Sequence, residues 1–390
     1  MDGTALVLCE GAFGTAAGKT AHGLIRFTER YQILGILDSH QAGKDSGEVL
    51  DGKPNGIPIF ASLPEAVETL GTTPKYLVVG QSSPTGGLLP GGRNIIRQAI
   101  NLGMNIDSGL RQFLTEDADL PGLAQLRGVS IRDVRKPKDP RQLHLYSGKI
   151  SQVDCVKIAV LGTDSLVGKR TTAINLRQGL RHVGLKTFLV GTGQTSWLQG
   201  MKYCVITDTM MSHYLTGEIE DTVYQAYVNE QPDVILLERQ GSLTDPLRPG
   251  GLELLCAARP DAIIVQHAPK RKFHTQALNQ ALIPLKDEIK VIELLTQKPV
   301  IAITLNHEGM TDDEIQSLIE EYEIEYRVPT LDVLKEGPAR LVSTVLHRFP
   351  ELVETIHKKR GEAQDDESSP INRRTSPFIT GKFPAMGTAE

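Results

Sequence analysis

Little in this 390-residue chain could cross-link a fold. The four cysteines, Cys9, Cys155, Cys204 and Cys256, are widely spaced and form no CxxC pair. That pattern excludes a disulfide framework and a zinc site, and it fits a reducing, cytoplasmic setting. No apolar run approaches the roughly 18 residues a membrane helix needs, so no membrane partner is expected. The opening "MDGTALVLCEG" has an acidic second residue and no basic n-region, so a signal peptide is not expected. A basic excess is missing as well. The formal net charge is −5 and the sequence pI is about 6.1, which leaves no electrostatic footprint for nucleic acid. No internal repeat is present.

What the chain does have is length enough for two domains with substantial cores. In the first third, short apolar runs such as "ALVLCEG", "QILGILD" and "KYLVVG" alternate with helical segments such as "TAHGLIRFTERY" and "GRNIIRQAINLGM". That alternation predicts a parallel α/β sheet over residues 1–135. The polar, proline-containing stretch 136–152 reads as a linker. A second α/β series over 153–357 begins at "VKIAVLG" and continues through "KTFLVG", "DVILLE", "DAIIVQH" and "VIAITLN". Its segment "TDDEIQSLIEEY" opens with a capping box of Thr311 and Glu314. Residues 358–390 are polar and aperiodic, and a disordered tail is expected there.

Two glycine loops follow predicted strands. "GTDSLVGKRTT" places Gly168 and Lys169 after a strand and before a helix whose Ala173, Leu176, Leu180 and Val183 fall at helical spacing. It departs from the usual GxxxxGK[ST] phosphate loop in two ways. Thr163 holds the first-glycine position, with Gly162 one residue earlier. Arg170 holds the hydroxyl position, with Thr171 and Thr172 following. The loop amides, backed by the helix N-terminus, would bind phosphate oxygens. Gly162, Thr163, Asp164, Gly168, Lys169, Arg170, Thr171 and Thr172 are therefore the predicted phosphate site. Glu238, at the end of "DVILLE", stands where such proteins hold Mg²⁺. The N-terminal loop, "EGAFGTAAGKTAHG", lacks GxGxxG but is close to a Rossmann-like glycine turn. Gly11, Gly14, Lys19, Thr20, Asp38 and Gly80 would lie along the carboxyl edge of that sheet.

"GTDSLVGK", Glu238 followed by "RQGSL", and "ITLN" resemble the dethiobiotin synthetase branch of P-loop proteins. That resemblance implies a base contact from Asn306. "GKPNGIPIFASLPEAVETLGTTPKYLVVG" resembles the CoA-binding domain of succinyl-CoA synthetases. Nearly all of residues 1–355 resembles one family, on "EGAFGTAAGKTAHGLIR", "SSPTGGLLP", "NIDSGLRQFLTED", "RDVRKP", "LGTDSLVGKRTT", "VGTGQTSWLQG", "LERQGSL" and "IIVQHAPKRK". This family joins a Rossmann-like domain to a P-loop domain. It was long labelled a domain of unknown function and includes D-glutamate N-acetyltransferases. His213-Tyr214 and Glu238-Arg239-Gln240 depart from its usual residues, while Asp208 and Glu220 match.

The resemblance implies an acetyl-CoA-dependent N-acyltransferase on a small amino acid, with the cofactor phosphates on the P-loop. The alternatives are an ATP- and Mg²⁺-dependent kinase or ligase, with Glu238 on the metal, and a non-catalytic nucleotide- or CoA-binding module. Arg170 and Arg239 add positive charge where Mg²⁺ would sit, which weighs against the ATP reading. His267, at a strand end, is the expected general base, with Glu238 second. Gln194 would orient the substrate or donate to the developing oxyanion. Gln240, Gly241, Lys270 and Asp208 are the expected substrate contacts, with Arg271 and Lys272 beside Lys270. The expected partner is a small-molecule substrate, in a homo-oligomer. The site is predicted between the two sheet edges, with 11–20 and 82–92 facing 162–172, 192–195 and 238–241.

Overall fold

The computed structural model describes residues 1–81, 86–247, 249–274 and 279–368, apart from the side chains of 362–368. The first sheet contains β1 (Gly3–Leu8), β2 (Tyr31–Leu37), β3 (Ile59–Phe60), β4 (Tyr76–Val79), β5 (Asn105–Ser108) and β6 (Ile131–Asp133). All pairs are parallel, in the order β3-β2-β1-β4-β5-β6. The order in which strands are added reverses between β1 and β4, so the loops after these two strands share one crevice. The second sheet contains β7 (Val156–Gly162), β8 (Thr187–Thr192), β9 (Tyr203–Val205), β10 (Val234–Glu238), β11 (Ala262–His267), β12 (Val300–Leu305) and β13 (Thr330–Leu331). It is also parallel, in the order β13-β12-β11-β7-β10-β8-β9.

Strands covered by helices on both faces need apolar side chains in both directions, which explains why "VKIAVLG" reads as an unbroken run and is buried throughout. Each sheet carries a core on each face. Leu6, Leu77 and Ile106 pack on one side of the first sheet and Val7, Ile36 and Val78 on the other. In the second sheet Val190, Leu237 and Val265 oppose Val160, Leu236 and Ile264. The capping box at Thr311 and Glu314 is formed.

Two segments differ from the sequence expectation. The stretch 136–152 lies along the helix Ser212–Glu230, where buried Glu220 accepts from Ser147 N at 2.7 Å and Ile150 N at 3.1 Å. The helix Pro350–Ser368 continues past residue 358, where the tail was expected to begin. Leu352 and Ile356 are buried against the second sheet, and Lys359 Nζ donates to Asp233 at 2.5 Å. Residues 369–390 lie outside the described residues.

The domains are joined by the short helix Gln194–Leu198 that follows β8. Leu198 is fully buried in the core of the first domain. Glu29 N donates to Gln199 O at 2.8 Å, and Gln199 Nε2 donates to Gly23 O at 2.8 Å and Phe27 O at 3.1 Å. Arg30 stacks on Trp197, 3.9 Å from the ring centroid, and its Nε donates to Trp197 O at 2.8 Å. Gly200 has φ +88, and a Cβ there would stand 2.7 Å from Arg30 N, so only glycine closes this turn.

Truncating Leu198 removes a side chain that belongs to the other domain's core. Leu198→Ala is expected to cost about 2–5 kcal/mol, the usual range for an emptied Leu site. In urea unfolding it should also split a joint transition into two. A single unchanged transition would show that the domains do not depend on this contact.

Candidate functional site

The loop between β7 and the helix Lys169–His182 has the backbone of a phosphate cradle. Leu166 (φ 61) and Gly168 (φ 110) both sit at positive φ. Gly168 is in the left-handed region directly before the helix, where a side chain would be strained. The positive end of the helix dipole faces the loop. Lys169 Nζ donates to Asp164 O at 2.6 Å inside the loop. Burial pushes the amine down to about 8, against the opposing pull of Glu238 and Asp164.

Arg170 decides the electrostatics. Its Nη2 donates to Thr192 O at 2.7 Å and to Glu238 Oε2 at 3.0 Å. The carboxylate expected to hold Mg²⁺ is thus neutralised by the residue in the metal-binding hydroxyl's place. Arg239 turns away: its Nε donates to Glu253 and its Nη1 to Gln240 O at 3.2 Å. Among the described residues, Asp164, Asp245 and His274 bring ligand atoms within 4.8 Å of one another. Asp164 already accepts from Arg271 Nη1 at 3.1 Å and lies 3.1 Å from His274 Nδ1, so this cluster is compensated by a fixed cation.

Several predicted residues brace the loop instead of facing a ligand. Thr172 and Thr304 both donate to Gln266 Oε1, at 2.5 and 2.6 Å. Thr163 Oγ1 lies 2.9 Å from His267 Nδ1. His267 is buried beneath the loop, and that burial pushes it down to about 4. It does not line the cleft described below. Asn306 Nδ2 donates to Val167 O at 3.0 Å and so supports the loop backbone, not a base. Arg271 lines the cleft described below and donates to Ser165 O at 2.8 Å, whereas Lys270 pairs with Glu314 at 2.7 Å outside it.

The N-terminal glycine loop closes on itself. Asp38, at the end of β2, accepts from Gly11 N at 3.1 Å and Phe13 N at 2.8 Å. Gly11 and Gly14 do not line the cleft described below. Thr20 Oγ1 lies 3.2 Å from Thr195 Oγ1 across the domain boundary.

The helix Lys19–Arg26 does reach the P-loop domain. Lys19, His22 and Arg26 form one wall of a cleft of about 1420 Å³. Lys169, Arg170, Thr171, Glu238, Gln240 and Gly241 form the other. Lys19 and Lys169 thus open on one cavity within one chain. Of the loop 82–92, residues 82–85 lie outside the described residues, and 86–92 do not line this cleft. Gln194 and Asp208 are turned to another part of the domain junction. Gln194 packs against Gly109, and Asp208 pairs with Arg135 at 2.8 Å.

His22 was missed from sequence, although it stands one helical turn after Lys19 on the same face, which is a legible signal. Its Nε2 lies 2.6 Å from Phe13 O. A carbonyl only accepts, so Nε2 carries the proton and Nδ1 is left as the acceptor. Burial lowers its pKa from the ordinary histidine value, which keeps it neutral.

The chain belongs to the family described as DUF1611, a domain of unknown function. The family's P-loop domain matches residues 144–342, and its N-terminal Rossmann-like domain matches residues 39–137. A crystal structure of a DUF1611 family protein from Anabaena variabilis superposes with a TM-score of 0.80 at 26% identity, covering 88% of this chain and 99% of that one. A Tritonibacter scottomollicae protein named D-glutamate N-acetyltransferase is 28% identical over 335 residues, 80% of this chain and 97% of its own. One of the same name from a Pseudoalteromonas species is 27% identical over 278 residues, covering 70% and 81%. No helix among the described residues is long and apolar enough to cross a membrane.

Lys169 generates a prediction with a defined sign. A bound phosphate favours the charged amine, which the empty loop retains only below about pH 8. Affinity for CoA or a nucleotide should therefore fall as pH rises through 8. Lys169→Ala should weaken binding at least about tenfold near neutral pH, about 1.4 kcal/mol, and flatten that pH dependence. Calorimetry at pH 7 and pH 9 checks both. A steeper loss from Lys19→Ala than from Lys169→Ala would assign the phosphates to the other wall.

Proposed function

From that membership we propose that the chain is an acyl-CoA-dependent N-acyltransferase acting on a small, D-glutamate-like amino acid. The names of the two relatives support the reaction class. The observation that carries the reading at the site is the Arg170–Glu238 pair, 3.0 Å apart beside the loop lysine. This pair supplies a fixed cation where a metal-dependent P-loop enzyme needs a hydroxyl and a free carboxylate. Lys169, Arg170 and the helix N-terminus hold the phosphates of CoA, and Lys19 lies on the facing wall.

Acetyl-CoA, when bound, supplies an acetyl thioester. The incoming ammonium must first lose a proton, and His22 Nδ1 takes it in place of His267. The freed amine forms the C–N bond as the C–S bond breaks. Its second proton neutralises the departing thiolate, and the proton on His22 passes to solvent. The neutral state of His22 suits it to this task, and the Phe13 carbonyl fixes its tautomer.

The test combines acetyl-CoA with D-glutamate and other small amino acids and follows release of the CoA thiol. Wild type should turn over without ATP. His22→Ala should lower kcat by about 10²-fold or more with little change in CoA affinity. The acid limb of the wild-type kcat/KM profile should lie below pH about 6.5, the ordinary histidine value, and should vanish in the variant. Turnover only with ATP and Mg²⁺ would replace this reading with the kinase or ligase one.

A further inference from the structure

A second set of polar groups lies in the junction between the domains, apart from the phosphate loop. Gln81 stands two residues past the carboxyl end of β4, and Gly109 directly follows that of β5. Val79 and Ser108 are register partners, so the two chains leave the sheet side by side. From the other domain come Gln194, after β8, and Thr207 and Asp208, after β9. A Cβ on Gly109 would stand 2.7 Å from Gln194 Cγ. Arg135 ties the two sides together, donating to Gly109 O at 2.8 Å and pairing with Asp208 Oδ2 at 2.8 Å.

These groups are buried and yet incompletely bonded. Gln81 and Gln194 are each only 3% exposed. Among the described residues, neither amide atom of Gln81, nor Gln194 Oε1, Thr207 Oγ1 or Asp208 Oδ1, has a hydrogen-bond partner. Burying such an atom unpaired forfeits its hydrogen bond to water with nothing in return. Two glutamines, a threonine and a carboxylate left this way at one junction would be a large standing cost unless something else completes them. Gln81 also lies against Gly92, at the start of the helix Gly92–Asn101, whose positive end favours a carboxylate.

We propose that this junction is the pocket for the amino-acid acceptor, a small molecule carrying both a carboxylate and an ammonium group. The inference rests on the acyltransferase reading for the identity of the reaction, but it makes its own claim about where the acceptor binds. The amide nitrogen of Gln81 takes the carboxylate, and the open oxygens of Gln194 and Asp208 hold the ammonium group before His22 takes its proton. The pocket adjoins the cofactor cleft through three consecutive residues. A Cβ on Gly193 would meet Gln240 Nε2 at 2.1 Å, and Gln240 lines the cleft. Gln194 turns to the junction, while Thr195 lines the cleft again. The motifs "NIDSGLRQFLTED" and "RDVRKP", which the phosphate site leaves without a role, supply Gly109 and Arg135.

Gln81→Leu and Asp208→Asn test the assignment, with D-glutamate as the probe. Gln81→Leu removes two unpaired buried atoms, so its melting temperature should hold or rise, whereas a structural glutamine would lower it. Both variants should raise KM for D-glutamate at least tenfold and leave KM for acetyl-CoA within about twofold. If wild type turns over and both variants keep their D-glutamate KM, the pocket is misplaced and the acyltransferase reading stands. If wild type transfers no acetyl group, that reading fails, and thermal shift decides the pocket by itself. D-glutamate should then stabilise wild type but not Gln81→Leu. Equal stabilisation of both, or of neither, would overturn the pocket.

Discussion

The seating of residues 194–200 in the first domain is the contact on which the rest of this architecture depends. Each domain has its own sheet and its own two cores, so neither needs the other to bury its strands. Leu198 lies in a core that is not its own, and Gln199 supplies hydrogen bonds to the end of the helix Lys19–Arg26 from both its backbone and its side chain. That helix carries Lys19 and His22. Fixing its far end against the P-loop domain fixes what faces Lys169 across the cleft.

Charge placement on the P-loop side follows from one substitution within a common motif. The small hydroxyl that usually follows the loop lysine would leave Glu238 open to a cation. A guanidinium in that position fills the space itself and spends one nitrogen on both Glu238 and the carbonyl of Thr192. The loop then presents Lys169 and Arg170 together, with little uncompensated negative charge nearby. Beneath it, Gln266 gathers two threonine hydroxyls and Asn306 holds the Val167 carbonyl, so the backbone amides are preset before any anion arrives. Binding then costs less ordering of the loop.

The two glycine loops illustrate how similar sequences separate in space. Both follow a β strand, and both precede a lysine that begins a helix. In one, the strand-end carboxylate Glu238 is taken by an arginine, and loop residues 165–169 line the cleft. In the other, the strand-end carboxylate Asp38 turns into its own loop, accepting from Gly11 N and Phe13 N. The acidic residue that ends β2 therefore completes the turn instead of a ligand.

Strand-and-helix alternation, the two sheets, the P-loop and its helix, and the Thr311 capping box were all legible in the sequence, because each is set by local periodicity and by residues a few positions apart. Lys19 and Lys169 were legible as candidates, since glycine and lysine at a strand–helix turn form a local pattern. Which candidates face the cleft was decided only by tertiary structure. His267, Asn306 and Lys270 are polar residues at strand ends or in the loops beyond them, as active-site residues often are, yet their partners are Thr163, the Val167 carbonyl and Glu314, more than forty positions away in each case. Gln81, Gln194 and Asp208 lie in three separate segments, and nothing in their spacing marks them as neighbours. The physical reason is burial: a polar side chain taken out of water must find a partner wherever the packed chain offers one, and local sequence does not specify that position.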